Sequence, residues 1–430
     1  MKPFVRAGIC VLVAFAVLAH GAVEPWSEAV LEIGAGLLLV AWACSAAAAA
    51  EPRVVGHPLL WPLLGLWGVA AIQLAAHMTV YPFLTRIELL KYSALLALFF
   101  LAVQAFGTLE QWRKWAWFLL VLGFLVSVFG IVQHFTFNEK LYWFRELRYG
   151  GIPFGPFVNR NHFAGFVELV IPSGLAFLLL RSEKRDQLPL IALFTLFPVG
   201  ALFLSASRGG IVGFVTELGV LAILIPLRRR DRKPLAAGLV VLILGAALVS
   251  WLGIGRALDR FASYQLLEAS GARRAEMVRD SWRIFRDHPL AGTGLGTLQE
   301  VFPLYETMYD GLIVNHSHND YVEILAEAGI AGGACCLAFL IGLFWLGWKN
   351  LAAPENTREF AVRLGALAAC CGLLVHSLVD FNLHIPSNAL IFLLQAAAAT
   401  SFWPPSRPEE ERRPASSGRN CVPLAFSTEK

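Results

Sequence analysis

Imidazoles and carboxylates crowd one short stretch of a largely apolar chain, Val314–Gly333, which reads VNHSHNDYVEILAEAGIAGG. His316, His318, Asp320 and Glu323 are spaced so that a proton could be taken, held or passed on among them. Asp320 followed by Glu323 has the spacing of a capping box, and the apolar residues from Tyr321 onward set a helical run. That predicts His318 just ahead of a helix N-terminus. The positive end of the helix dipole disfavours imidazolium there and keeps a neutral base available near neutral pH, with Asp320 in place to orient the ring. Glu323 and Glu327 fall one turn apart on the same helix, where carboxylates are costly unless they face a polar cavity. A plain interfacial hydrogen-bonding role for His318 is the competing account. A zinc site begun by His316 and His318 and completed by Asp320, Asp380 or His384 is another, although only a pair of ligands is visible and a catalytic zinc normally takes three.

Anion-binding side chains lie elsewhere in the chain. Arg274 shares a helical face with Met277, Val278, Ser281 and Phe285, so it points with the apolar side. Arg279, Arg283 and Arg286 follow one another on another face, as suits a solvated or headgroup-facing row, while Glu276 and Asp280 are spaced for a helix salt bridge with Arg273. Arg208 lies in the Ser205–Gly210 turn between two apolar runs. A snorkelling arginine is the default there, but an arginine at headgroup level can also fork two hydrogen bonds onto a phosphate. Asn159, Arg160, Asn161 and His162 form a second polar group, for which interfacial anchoring is the alternative, and Asp380 with His384 forms a third. Gly292-Thr-Gly-Leu-Gly296 has no strand-turn-helix context, so turn chemistry explains it better than a nucleotide-phosphate loop.

The elements that must position these groups are membrane helices. With 430 residues, 57% of them hydrophobic and 15% charged, and a mean hydropathy of +0.61, the chain is too apolar for a soluble domain. Runs of about 20 apolar residues, enough to cross ~30 Å of hydrocarbon, fall near 7–22, 28–48, 58–77, 89–106, 114–133, 163–180, 187–205, 209–227, 234–253, 321–348, 361–378 and 386–403. The expectation is an all-α polytopic membrane protein of about twelve transmembrane helices. Lys2 with Arg6, Arg53, Arg113 with Lys114, Arg181 with Lys184 and Arg185, Arg228 to Lys233, Lys349 with Arg358 and Arg363, and the tail after Ser406 then fall on alternate loops. By the positive-inside rule both termini are cytoplasmic. The opposite face receives 134–162, the Ser205–Gly210 turn, the long loop 254–319 with short helices such as Gly271–Asp287, and 376–385. Residues 1–133 supply five helices without a specific motif, 134–403 carry the polar groups, and 404–430, rich in Pro, Ser, Glu and Arg, are expected to be disordered. The seven cysteines show no CxxC spacing, and a net charge of +4 is too scattered to suggest nucleic acid.

The stretch around His318 resembles the signature of the bacterial O-antigen ligase and O-antigen polymerase superfamily. There a His and an amide residue are followed by nine residues and Gly-x-x-Gly, here His318, Asn319, and then Gly329 and Gly332. Ala334 stands where many ligases carry Thr. The segments around Asn159–His162, Arg208 and Asp380–His384, and an Arg some fourteen residues before His288-Pro289, also look like parts of that pattern, so the likeness runs from about 150 to 395. It implies glycosyl transfer on the periplasmic face of the bacterial inner membrane. The donor would be a polyprenyl-diphosphate-linked glycan and the acceptor a hydroxyl of another glycan or of lipid A-core, with inversion and with no metal or other cofactor. Arg208 and Arg274 would hold the diphosphate and His318 would be the base. Asn159, Arg160, Asn161, His162, Asn319, Asp320, Asp380 and His384 would bind substrate or brace the base. The rival from outside enzymology is a transporter or flippase of lipid-linked oligosaccharide. Such proteins usually gather polar groups near the bilayer midplane in repeated halves, whereas this chain places them at one face.

Overall fold

In hydrocarbon every backbone N–H and C=O must be paired within the chain, so a sequence this apolar folds as helices. A computed structural model describes residues 1–50, 54–146, 152–229, 271–309 and 311–402. The described helices are α1 (Lys2–Leu18), α2 (Pro25–Ala47), α3 (Leu60–Ala75), α4 (Pro82–Ala105), α5 (Leu109–Phe135), α6 (Arg160–Glu168), α7 (Ile171–Leu180), α8 (Leu188–Ser205) and α9 (Arg208–Arg229). They continue with α10 (Gly271–Asp287), the single turn α11 (Leu298–Val301), α12 (Asp320–Ala352), α13 (Thr357–His376) and α14 (Pro386–Thr400), with 3-10 turns at Phe302–Leu304 and Asn382–His384. Among the described residues extended pairing is limited to isolated bridges, Leu141 to Arg145 and Phe154 to Phe157.

Among the described residues eight helices, taking Arg160–Leu180 as one, are long and apolar enough to cross a membrane. The shorter α1, α3 and α14 occupy three more of the expected spans. The expected span 234–253, the first part of the long loop and the tail 404–430 lie outside the described residues. Burial sorts the helices. Arg160–Leu180 and α13 have 89% and 83% of their membrane windows buried, against 17% for α2, so the former make the centre and α2 the lipid-facing edge. α13 packs on α7, α9 and α14, and the polar turns at its end therefore open from the middle of the bundle.

The expected capping box at Asp320 is replaced by a cap one residue earlier. The Asn319 side chain accepts from the N–H groups of Tyr321 and Val322, both at 3.0 Å, which leaves Asp320 and Glu323 free for other partners. Nine residues on, α12 breaks at Gly329, whose φ of 61° and ψ of −161° are open almost only to glycine. Two helical hydrogen bonds are exchanged there for pairs with the glycine-rich turn. Thr293 and Gly294 donate to the carbonyls of Ala326 and Glu327, each at 3.0 Å, while Ile330 and Ala331 donate to Pro289 at 2.8 Å and Leu290 at 3.3 Å. The fit admits no side chain, since a Cβ on Gly329 would lie 2.4 Å from the Leu290 oxygen and one on Gly292 would lie 2.2 Å from the Glu327 carbonyl carbon. Gln73 of α3 clamps the joint, donating to the carbonyls of Ala291 at 2.6 Å and Glu327 at 2.8 Å. The Gly-x-x-Gly segment thus anchors the long loop to the membrane helix that carries His318 at its head.

Candidate active site

Asp380 follows the C-terminus of α13 with its side chain 1% exposed, and side chains from three other elements converge on it. Asn161 of α6 donates to its Oδ2 at 2.6 Å, and Arg274 of α10 places Nη1 3.7 Å from the same oxygen and 3.0 Å from the Val379 carbonyl, to which it donates. His318 Nδ1 and His162 Nε2 lie 3.7 and 3.9 Å from Oδ1, and the Phe381 N–H donates to that oxygen at 2.9 Å. Burial alone would raise this carboxyl, but His318, His162 and Arg274 outweigh it and hold Asp380 well below the usual carboxylate range. His318 itself sits at φ 54°, the left-handed region, at a cost of about 1–2 kcal/mol for a side chain with a Cβ. Strain of that kind persists only where the surroundings impose it, and clusters at functional positions.

Arg208 heads α9, whose first turn is capped by Ser207 Oγ accepting from the Gly210 N–H at 3.2 Å. Its neighbour Gly209 packs against the 376–379 turn so closely that a Cβ there would lie 2.5 Å from the His376 ring and 3.0 Å from Val379. Because Arg274 holds the Val379 carbonyl, both arginine-bearing helix ends border the turn that ends in Asp380. Beneath it, His376 Nδ1 lies 3.1 Å from both carboxylate oxygens of Glu168, a buried pair that the sequence reading missed although a Glu inside an apolar span signals a partner.

Phe381 separates this centre from a second one. Its ring stacks on His316 with centroids 4.2 Å apart and meets His162 and His318 edge-on at 4.8 and 5.0 Å. Asp320 does not orient His318 as expected. As the first residue of α12 it faces the 382–384 turn, accepting from the Leu383 N–H at 3.1 Å and lying 2.7 Å from His384 Nδ1. Glu323 is 2.6 Å from His316 Nδ1 and 3.3 Å from His384 Nε2, and its other oxygen accepts from the backbone N–H and hydroxyl of Ser317 at 2.8 and 3.0 Å. Burial opposes charge on His384, but Glu323 and Asp320 push its imidazole up to about 10. His316 and His318 therefore address different carboxylates on different sides of one aromatic ring, and they do not form the pair considered for zinc.

A cavity of about 1430 Å³ opens beside the two centres, lined by Asn159, His162, His316 and His384 and, from the first helices, by Glu88 and Lys91. Lys91 Nζ lies 2.5 Å from Glu88 and 3.9 Å from Glu28, charges within apolar runs whose spacing matched no motif. Other expected residues are spent on the fold. Asn159 caps α6 by accepting from the Asn161 N–H at 2.8 Å, Arg160 is buried at the start of that helix, and Asn319 donates its amide to the Leu378 carbonyl at 2.9 Å. Arg273 pairs with Glu306 across the loop instead of along its helix, because Arg279 and Arg283 take Glu276 and Asp280 at 2.7 and 3.3 Å. The glycine-rich turn does cradle a carboxyl group, but the group is the chain's own. The N–H groups of Gly296 and Leu298 donate to Glu327 at 2.9 and 2.8 Å.

A cationic arm, a strained histidine and a buried carboxylate beside a large cavity suit a group transfer with an anionic leaving group. Comparison with known families adds a likeness over part of the chain. Residues 191–337 match the model of the O-antigen ligase family. A search of curated proteins finds no match to the chain. The O-antigen ligase match takes in Arg208, Arg274, His318 and the kinked first half of α12, and it supports glycan transfer of the ligase or polymerase type. Asn161, Asp380 and His384, and the first-helix wall of the cavity, fall outside the matched region, yet the fold packs them against it.

Proposed function

We propose that the chain is a multi-pass enzyme of the bacterial inner membrane with about twelve spans and both termini cytoplasmic, transferring a glycan from a polyprenyl-diphosphate carrier to an acceptor hydroxyl on the periplasmic face. Outside that membrane no nucleotide sugar or ATP drives assembly, so the donor must arrive already activated. The observation that carries the reading is the meeting of Arg274 and His318, both within the region that matches the O-antigen ligase family, on Asp380 at 3.7 Å each, beside a cavity that His162 and Phe381 line.

In this reading the acceptor oxygen attacks the anomeric carbon as the bond to the diphosphate breaks, with inversion. His318 takes the hydroxyl proton, and Asp380 stabilises the imidazolium that forms. Arg208 and Arg274 neutralise charge growing on the leaving diphosphate, the largest electrostatic change of the step, so the transfer needs no metal of its own. Asn161 and His162 complete the wall around Asp380, and the cavity beyond Phe381 takes the glycan. The test is the size distribution of lipid-linked glycans in a deletion strain complemented with wild type or with His318→Ala. Long lipid-linked chains accumulating with His318→Ala mark a ligase, and single repeat units mark a polymerase. Units trapped on the cytoplasmic side would replace the transferase reading with a flippase, and normal glycans with a correctly inserted His318→Ala protein would remove His318 as base.

A further inference from the structure

The centre on the far side of Phe381 holds His316, Glu323 and His384 with one nitrogen or oxygen of each within 4.8 Å of the others. The rings come from different elements, the loop before α12 and the turn before α14, and both aim a nitrogen at the same oxygen, Glu323 Oε1, at 2.6 and 3.3 Å. Around these atoms the structure has the outer hydrogen bonds that metal ligands require. His384 turns its other nitrogen to Asp320 at 2.7 Å, the carboxylate–histidine arrangement that fixes a ligating ring. Glu323 has its second oxygen fixed by Ser317, and the His316 ring is fixed by stacking on Phe381. Two carboxylates, Glu323 and Asp320, are 1% and 5% exposed here, and a divalent cation would offset their charge, His384 giving up its proton as the metal binds. Both histidines also line the large cavity, which gives a cation a path of entry and an open coordination position.

We propose that His316, Glu323 and His384 bind a divalent first-row cation, zinc, which braces the loop carrying His318 against the 382–384 turn. Two imidazoles and one carboxylate with a position left open is a donor set zinc accepts. The described cysteines, Cys10, Cys44, Cys335, Cys336, Cys370 and Cys371, take no part in this set. The zinc braces the loop, while the proton of the transfer step stays with His318. The proposal does not rest on the transfer reading, since zinc is counted without turnover.

The experiment uses the full chain purified in detergent, stripped with a chelator, equilibrated with zinc sulfate and analysed for metal per protein. About one zinc per chain is expected in wild type and in His318→Ala, and loss in His316→Ala, Glu323→Gln and His384→Ala. Because those three changes could disturb folding, Asp320→Asn keeps all the ligands and is expected to weaken zinc roughly 10–100-fold. Cobalt(II) added to stripped wild type should give a visible spectrum without the thiolate charge-transfer band. Wild type that retains no zinc, or equal zinc in wild type and the three ligand variants, would overturn the site. Loss in His318→Ala or unchanged affinity in Asp320→Asn would overturn this choice of ligands.

Discussion

Asp380 and Glu327 both hold a carboxyl group within the protein, but their partners differ in kind. Glu327 is held by the backbone N–H groups of Gly296 and Leu298 at 2.9 and 2.8 Å, in a joint where Gly292 and Gly329 leave no room for a side chain. Asp380 is surrounded by His318, His162, Arg274 and Asn161, and among the described residues only the amide of Asn161 and the backbone N–H of Phe381 are within hydrogen-bond distance. Backbone partners cannot leave without unfolding, so the Glu327 joint is architecture. The Arg274 guanidinium, 3.7 Å away, can move onto an arriving anion, and the His318 and His162 rings at 3.7 and 3.9 Å are held by no direct hydrogen bond to Asp380, so the Asp380 centre is poised to exchange partners.

On that contrast, changes in the Asp380 centre lower turnover in a stable protein and changes at Glu327 destabilise a protein that still turns over. The largest effect is expected from His318→Ala, which should lower transfer roughly 10²–10⁴-fold with membrane insertion and thermal stability unchanged, read by transfer assay and detergent melting. Arg274→Ala should cost about 10²–10³-fold in transfer, the scale of losing one preorganised charge partner of the leaving group, and Arg274→Lys should restore only part of it. Gly329→Ala should have the reverse signature. Strain of about 1–3 kcal/mol plus overlap with the Leu290 carbonyl should lower the melting temperature, while activity per folded molecule is kept. Glu327→Ala should act in the same direction, leaving two N–H groups unsatisfied at about 1–3 kcal/mol, and a loss of transfer without a loss of stability would break the comparison. Arg279→Ala, which removes an exposed pair with Glu276, should change stability by less than about 1 kcal/mol and leave transfer intact.

Much of the frame was legible because it is local. Apolar run length marked eleven of the expected spans at or near observed helices, and helical spacing set the limits of α10 and the direction of Arg274 toward the protein. His318 just ahead of α12 followed from the same logic, even though Asn319 and not Asp320 makes the cap. The glycine turn was read as turn chemistry, and it is that, but its partner in the kink of α12 could not be read from spacing.

The amino-acid sequence by itself determined that the chain would be membrane helices with a polar face, since burying about 20 consecutive apolar residues is a property of each segment alone. It also placed His318 just ahead of a helix and Arg274 on the apolar side of another. Which carboxylate serves which histidine was decided only by the tertiary structure. Asn161 reaches Asp380 across 219 positions, and Asp320, adjacent to the His318 segment, is drawn to His384 instead. Ion pairing depends on distance in space, and the loops that set those distances are closed by helix packing, which no local pattern in the chain encodes.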